Sequence, residues 1–268
     1  MGVLNCTPDS FSDGGQFLSA DRAWKHVDEM VKNGAEIIDI GAESTRPGAI
    51  AIAPEVQIQR LRPILETFKR RYQVTLSVDT TSSTVAQFAF DNGADIINDI
   101  SALRFDPKMA SVVAKNSGIL ILNHSRETPF TMQDNPEYGD VIVDVLTELK
   151  SAIQTANHHG ITRLVIDPGI GFGKSLSDNL RLLNQLSRFK TLGYPILVGT
   201  SRKSFIAAIT KEDGSPRLAG TIASSLWAVA NGARIVRVHD VAEIKKALAV
   251  HLAIATTPKS AVRFQPGS

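Results

Sequence analysis

Asp79, Asn98 and Asp167 each close a short apolar run of this 268-residue chain, and together they offer carboxylate acceptors and an amide that both donates and accepts. That set suits a flat heterocycle carrying amino, ring N–H and carbonyl groups on adjacent edges. Arg46, Lys203, Arg237 and His239 add cationic or donor groups from separate segments, which suits a phosphate or diphosphate plus a carboxylate. The inventory asks for a ligand with a nitrogen heterocycle at one end and anionic oxygens at the other. Mg²⁺ stays open through Asn5 and a ligand diphosphate, since that cation commonly uses few protein ligands beside phosphate oxygens.

Other chemistries fail on spacing. The glycine-rich segment Asp167–Ser175 invites a nucleotide reading, but a phosphate-cradling loop needs a glycine where Pro168 stands. The dinucleotide pattern fails as well, because the glycines fall at Gly169, Gly171 and Gly173. What remains is a tightly turning loop that brings backbone close to a ligand, with Lys174 either a phosphate contact or a solvated charge at a helix start. No nucleophile elbow surrounds Ser201, and no His/Cys cluster has zinc spacing. His158 and His159 are adjacent on a helical segment and diverge by about 100°, as surface residues do.

Strand-like runs that could hold these residues occur at Val3–Leu4, Glu36–Ile40, Val74–Val78, Asp95–Ile97, Ile119–Leu122, Arg163–Ile166, Pro195–Val198 and Arg234–Val238. They are rich in Ile, Val and Leu with little alternation, as expected for strands buried on both faces. Amphipathic segments separate them: Ala23, Val27, Met30 and Val31 share one helical face, as do Val56, Leu61, Leu65 and Phe68, and later Val141, Val145, Leu149 and Ile153. Ser19 is expected to open the first helix and Ser82 the third, with Gly34, Gly93 and Gly232 closing helices. Strand then helix, repeated eight times, predicts an α/β chain folded as a single-domain (β/α)8 TIM barrel over residues 1–257, followed by a flexible tail at 258–268. In that fold the active site forms at the C-terminal ends of the strands. Those ends read Asn5, Asp39 with the Glu43–Gly48 loop, Asp79, Asn98-Asp99, Asn123-His124, Asp167, Thr200–Lys203 and Arg237–Asp240. One polar strand end is a structural cap; eight alike indicate one polar pocket.

Seven motifs in register resemble the dihydropteroate synthase family. They are Gly2–Asn5 with Thr7–Gly15, Asp39–Gly48, Ser77–Thr80, Ile97–Ile100, Asp167–Lys174, Gly199–Ser204 and Arg237–Asp240, spread over Gly2 to about Leu252. The resemblance implies a transferase of folate biosynthesis that joins 6-hydroxymethyl-7,8-dihydropterin diphosphate to 4-aminobenzoate, works with Mg²⁺ as a homodimer, and takes sulfonamides as inhibitors. It assigns Asp79, Asn98, Asp167 and Lys203 to the pterin. Asn5, Thr45, Arg46, Arg237 and His239 go to the diphosphate, with Asn5 on the metal, and Thr45, Arg46, Pro47, Phe172, Ser201 and Lys203 to 4-aminobenzoate. The catalytic set it implies is Asn5, Lys203, Arg237 and His239. Loops Thr7–Phe17 and Glu43–Ile50 would close over the site. Departures are Ala42 for Gly, Cys6 for Val, Ile170 for Phe, and Asn123–Thr128 where the family has a Met-His-Met-Gln-like run. The chain begins at the first strand where relatives carry a lead-in, and from its length no fused folate enzyme is expected.

Two alternatives are a pterin-dependent corrinoid methyltransferase and a non-catalytic pterin-binding paralogue. The first has no use for Ser44–Gly48, Thr200–Ser204 or Arg237–His239; the second would not need Asn5, Arg46, Arg237 and His239 intact. Composition excludes other classes. With 29 Lys+Arg against 27 Asp+Glu the net charge is +2, which offers no footprint for nucleic acid or an anionic membrane. The uncharged stretch Leu218–Ala233 is too short and polar to span a bilayer and reads as a buried helix. A lone Cys6 has no intramolecular partner, and with no targeting segment the expected setting is cytoplasmic.

Overall fold

The computed structural model describes residues 1–6, 16–44, 48–128, 130–131, 137–211 and 217–258. Each of the eight apolar runs forms a strand: β1 Gly2–Asn5, β2 Ile37–Gly41, β3 Thr75–Asp79, β4 Ile96–Asp99, β5 Ile119–Asn123, β6 Leu164–Asp167, β7 Ile196–Val198 and β8 Ala233–Val236. They pair in parallel in sequence order. A parallel bridge between Gly2 and Val238, with Val3 N–H donating to Val238 O at 3.1 Å, joins the last strand region to the first and closes the barrel. The expected (β/α)8 architecture is the one observed.

The strand residues are apolar on both faces because both are buried. Ile96, Ile121, Val165 and Leu197 fill the inside of the barrel, with Ile37, Ile119 and Ile235 packed on them. Their strand neighbours Ile38, Ile40, Leu76, Ile97, Leu120 and Ile166 point outward and pack under the helices. Those helices are α1 Gln16–Lys32, α2 Pro54–Arg71, α3 Ser83–Asp91, α4 Met109–Lys115, α5 Val141–His158, α6 Leu176–Asn184, α7 Ser204–Thr210, α8 Leu218–Ala230 and α9 Val241–Thr256. Caps mark several starts. Ser82 accepts from Val85 N–H, Asp140 accepts from Ile142 N–H at 2.9 Å, and Ser175 with Asp178 forms a reciprocal capping box at α6.

Four expectations are corrected. Helix α1 already runs at Gln16, so Ser19 lies in its first turn and not at its cap. Val56, in the first turn of α2, faces solvent while Leu61, Leu65 and Phe68 are buried. The Leu218–Ala233 stretch is not a buried helix: α8 turns Thr221, Ser225 and Ala228 inward and leaves Trp227 51% exposed. The inversion has a cause in hydrogen bonding, because Thr221 Oγ1 accepts from Arg202 N–H and Ser225 Oγ meets Thr200 Oγ1 beneath the helix. Lys174 is not solvated; it is 3% exposed. The Thr7–Gly15 part of the first expected loop, the expected ligands Thr45, Arg46 and Pro47, and the tail beyond Pro258 lie outside the described residues.

Candidate functional site

Strand side chains alternate between faces, so the inward set continues upward from the apolar interior to a polar layer at the C-terminal mouth. On β2 to β6 and after β8 that layer is Asp39, Ser77, Asp79, Asn98, Asn123, Asp167 and Arg237. The intervening polar residues face the other way. Asp99 accepts from Ser101 and Leu103 N–H groups of its own loop, and His124 meets Glu148 of α5 at 2.9 Å. The polar strand ends thus divide by parity into cavity residues and loop anchors.

The cavity residues are wired across the barrel. Asp39, fully buried, accepts from Ser77 Oγ at 2.6 Å, Asn98 Nδ2 at 3.2 Å and Arg237 Nε at 2.6 Å. Arg237 also donates through Nη2 to Asp79 at 3.0 Å. Burial pushes the Asp79 carboxyl up to about 7, with Arg237 opposing and the Asp39 charge adding to the rise. Asp167 is raised by burial and countered by Lys203, while its Oδ1 accepts from Gly169 N–H at 2.7 Å. With Nδ2 donating to Asp39, Asn98 keeps Oδ1 buried and without a donor. Asn123 Oδ1 is equally unpartnered. Two buried acceptors waiting for donors are what a heterocycle with amino and ring N–H groups would satisfy.

After β7 and β8, Ser201 and His239 come together. Ser201 Oγ accepts from His239 N–H at 3.1 Å and lies 3.0 Å from His239 Nδ1. Lys203 donates to Ile170 O and stands 4.4 Å over the Phe172 ring. Burial lowers the Lys203 ammonium to about 8, with Asp167 opposing and Arg237 adding to the fall. Gly171 makes room for it: at φ +82°, an added Cβ would meet the Lys203 stem at 2.8 Å. Asn5 is exposed at the end of β1.

The structure therefore brings together Asp79, Asn98, Asp167, Arg237, Lys203, Phe172, Ser201 and His239, with Asn5 at the rim. Sequence reasoning did not place Asp39, which anchors Arg237 and Asn98, or Asn123 among the ligands. Asp39 had a signal, its place at a strand end, but its partners lie up to 198 residues away. Arg237 donates to the buried carboxylates of Asp39 and Asp79, two acids that need a counter-charge.

Residues 1–239 match the pterin binding enzyme family. A dihydropteroate synthase of Synechocystis is 45% identical over 244 residues, covering 90% of this chain and 84% of the relative. The chain belongs to the dihydropteroate synthase family. Among solved structures, the Xanthomonas albilineans dihydropteroate synthase with 4-aminobenzoic acid superposes with a TM-score of 0.90 at 42% identity, covering 96% of this chain and 93% of that one. The Yersinia pestis dihydropteroate synthase with a sulfonamide drug gives 0.89 at 39% identity, over 95% and 93%.

Proposed function

We propose that the chain catalyses the dihydropteroate synthase reaction. The C–O bond between the methylene of 6-hydroxymethyl-7,8-dihydropterin diphosphate and its diphosphate breaks, and a C–N bond to 4-aminobenzoate forms. The observation that carries this reading is the inward polar layer, in which Asn98 Oδ1 is buried without a donor and Asp79 and Asp167 are buried carboxylates. Those groups, with Asn123 beside them, would fix the amino and ring N–H edges of the pterin. Lys203 would donate to its carbonyl edge.

The reaction is a dissociative substitution. Positive charge develops on the methylene and is shared with the electron-rich dihydropterin, which the buried carboxylates stabilise as it forms. Arg237 and His239 receive the departing diphosphate, with Asn5 beside the metal; Thr45 and Arg46 join them only as the family resemblance implies. Arg237 keeps Nε on Asp39 while pterin binding at Asp79 frees Nη2 for the phosphate oxygens. The aniline nitrogen of 4-aminobenzoate attacks from the side lined by Phe172, Ser201 and Lys203 and passes its proton to the released diphosphate as the C–N bond closes; Thr45, Arg46 and Pro47 are further contacts that the family resemblance implies. A sulfonamide would compete at that side.

Mg²⁺ fits the residues present. Asn5, whose amide is exposed at the end of β1, would hold the ion beside oxygens of the bound diphosphate. When bound, it supplies charge neutralisation on the leaving diphosphate.

Two finer parts of the reading concern setting. A cytoplasmic location rests on the free, buried Cys6 thiol, which burial pushes up to about 12. No described helix is long and apolar enough to cross a membrane. A homodimer is supported by an apolar groove of about 680 Å³ between α6, α7 and α8, where Leu180, Ile209 and Trp227 are exposed. Sedimentation of the chain as a monomer would overturn it.

Diphosphate release measured with and without 4-aminobenzoate tests the function. Release that requires aminobenzoate supports it. Release without it is hydrolysis, and pterin binding without release would favour a binding-only paralogue; either outcome overturns the reading.

A further inference from the structure

We propose that Lys174 is a positioning residue for the aminobenzoate side, stapling the glycine-rich loop after β6 to the end of β5 through a relay that runs by way of His124 to Glu148. The proposal rests on the functional reading above for the ligand, and on geometry alone for the staple.

Lys174 Nζ lies 2.9 Å from Phe172 O, 3.1 Å from His124 Nδ1 and 3.3 Å from His124 O. An ammonium has three N–H donors, and each finds one acceptor here. A phosphate contact would require Lys174 to abandon buried partners, so that sequence-based alternative loses its support. Burial lowers the Lys174 ammonium to about 7, with Asp167 opposing; in its charged form it only donates, so His124 Nδ1 then accepts and the imidazole carries its proton on Nε2. That proton goes to Glu148 Oε2 at 2.9 Å. Burial, aided by the Lys174 charge, holds the His124 ring neutral by lowering it to about 4. Glu148 Oε1 accepts from Arg126 Nε at 2.8 Å, and Arg126 Nη2 continues to Asp144 at 3.0 Å. The relay is anchored on α5 by two carboxylates.

The loop needs such an anchor. Gly169, Gly171 and Gly173 hold φ of +70°, +82° and +56°, and three glycines in five residues lose much backbone freedom on ordering. Its contact with β5 is close enough that a Cβ on Gly169 would fall 1.8 Å from His124 O. Tyr138 adds to the same face: its hydroxyl donates to Gly173 O at 3.0 Å, and its ring lies 4.1 Å from the Arg126 guanidinium. On its cavity side the stapled loop presents the Phe172 ring and Ile170 O, which together seat Lys203. The loop's shape thus sets two of the aminobenzoate contacts.

The test measures KM for 4-aminobenzoate, and separately the Kd of the pterin diphosphate by calorimetry, in the full chain carrying Lys174→Met or Glu148→Gln. Lys174→Met is expected to raise that KM about tenfold, the worth of one charged hydrogen bond, and to weaken the pterin Kd by less than about threefold, because Lys203 leans on this loop while Asp79 and Asn98 are held by Arg237 and Asp39. Glu148→Gln alters a side chain 35% exposed and retains one acceptor, so it is expected to fold and to raise the same KM about threefold. If Lys174→Met does not fold, Glu148→Gln decides. An unchanged aminobenzoate KM, or equal weakening of both substrates, overturns the proposal. If the unmodified chain shows no aminobenzoate-dependent release, the functional reading has failed instead. Hydrogen exchange then judges the staple: amides 169–173 must exchange faster in Glu148→Gln, and unchanged protection overturns it.

Discussion

Asp39 is the hub of the polar layer, and Asp39→Asn isolates what its charge contributes. Three donors meet the carboxylate: Ser77 Oγ, Asn98 Nδ2 and Arg237 Nε. A hydrogen bond to a charged acceptor is worth about 1.5–3 kcal/mol against about 0.5–1.5 for a neutral one, so neutralising three of them costs about 3 kcal/mol. Part is returned, because the Asp39 charge repels Asp79 and helps raise it. The net expectation is a loss of about 2 kcal/mol, or a Tm lowered by about 4–8 °C for a chain of this size. The second effect is on orientation. Asp39 accepts only, and so compels Asn98 to point Nδ2 at it and Oδ1 away from it; an amide in its place lets Asn98 flip. Pterin diphosphate affinity is therefore expected to fall about tenfold, one misdirected hydrogen bond. Scanning calorimetry and titration with the pterin diphosphate read both quantities. A Tm within about 1 °C of the parent with unaltered affinity would refute the hub, given that about 2 kcal/mol is expected.

Two further outcomes follow from the same geometry. Asn123→Leu removes a buried acceptor without a donor, so thermal unfolding should shift upward by about 2–5 °C while pterin diphosphate affinity drops about fivefold; a lower Tm with full affinity would show that the amide is structural. His124 is lowered from 6.5 to about 4, so between those values the unfolded chain binds a proton that the folded chain refuses, and stability rises with pH across that window. Urea unfolding should therefore give about 2 kcal/mol less stability at pH 5 than at pH 7 from this group, and His124→Gln should flatten the difference; an equal slope in the variant counts against a neutral buried imidazole.

The strands were legible because parallel strands buried on two faces read as unbroken Ile/Val/Leu runs, and the end-of-strand rule then located Asp79, Asn98 and Asp167 without a structure. Parity was the harder part. Nothing in Asn98-Asp99 or Asn123-His124 says which of the two enters the cavity until the register of an inward Ile96 or Ile121 is known. Lys174 was ambiguous for a different reason: its acceptors are backbone carbonyls and a ring nitrogen, and backbone carbonyls carry no sequence signature. Arg237 was expected at the phosphates because a basic residue at the mouth suits an anion. Its partner Asp39 enters from the opposite end of the chain, a pairing only barrel closure reveals. In α8 the inward face is Thr221, Ser225 and Ala228, so hydropathy ran opposite to burial.

The parity of the strand ends also constrains how this mouth can change over generations. Ligand and anchor are consecutive residues, Asn98 beside Asp99 and Asn123 beside His124, facing opposite sides of one wall. A substitution alters one role and spares the other. Gaining or losing a single residue inside the strand exchanges them, turning His124 into the cavity and Asn123 toward α5, and both functions fail together. Variation in length is thereby driven out of the strands into the connections that follow, leaving the mouth to diversify one side chain at a time.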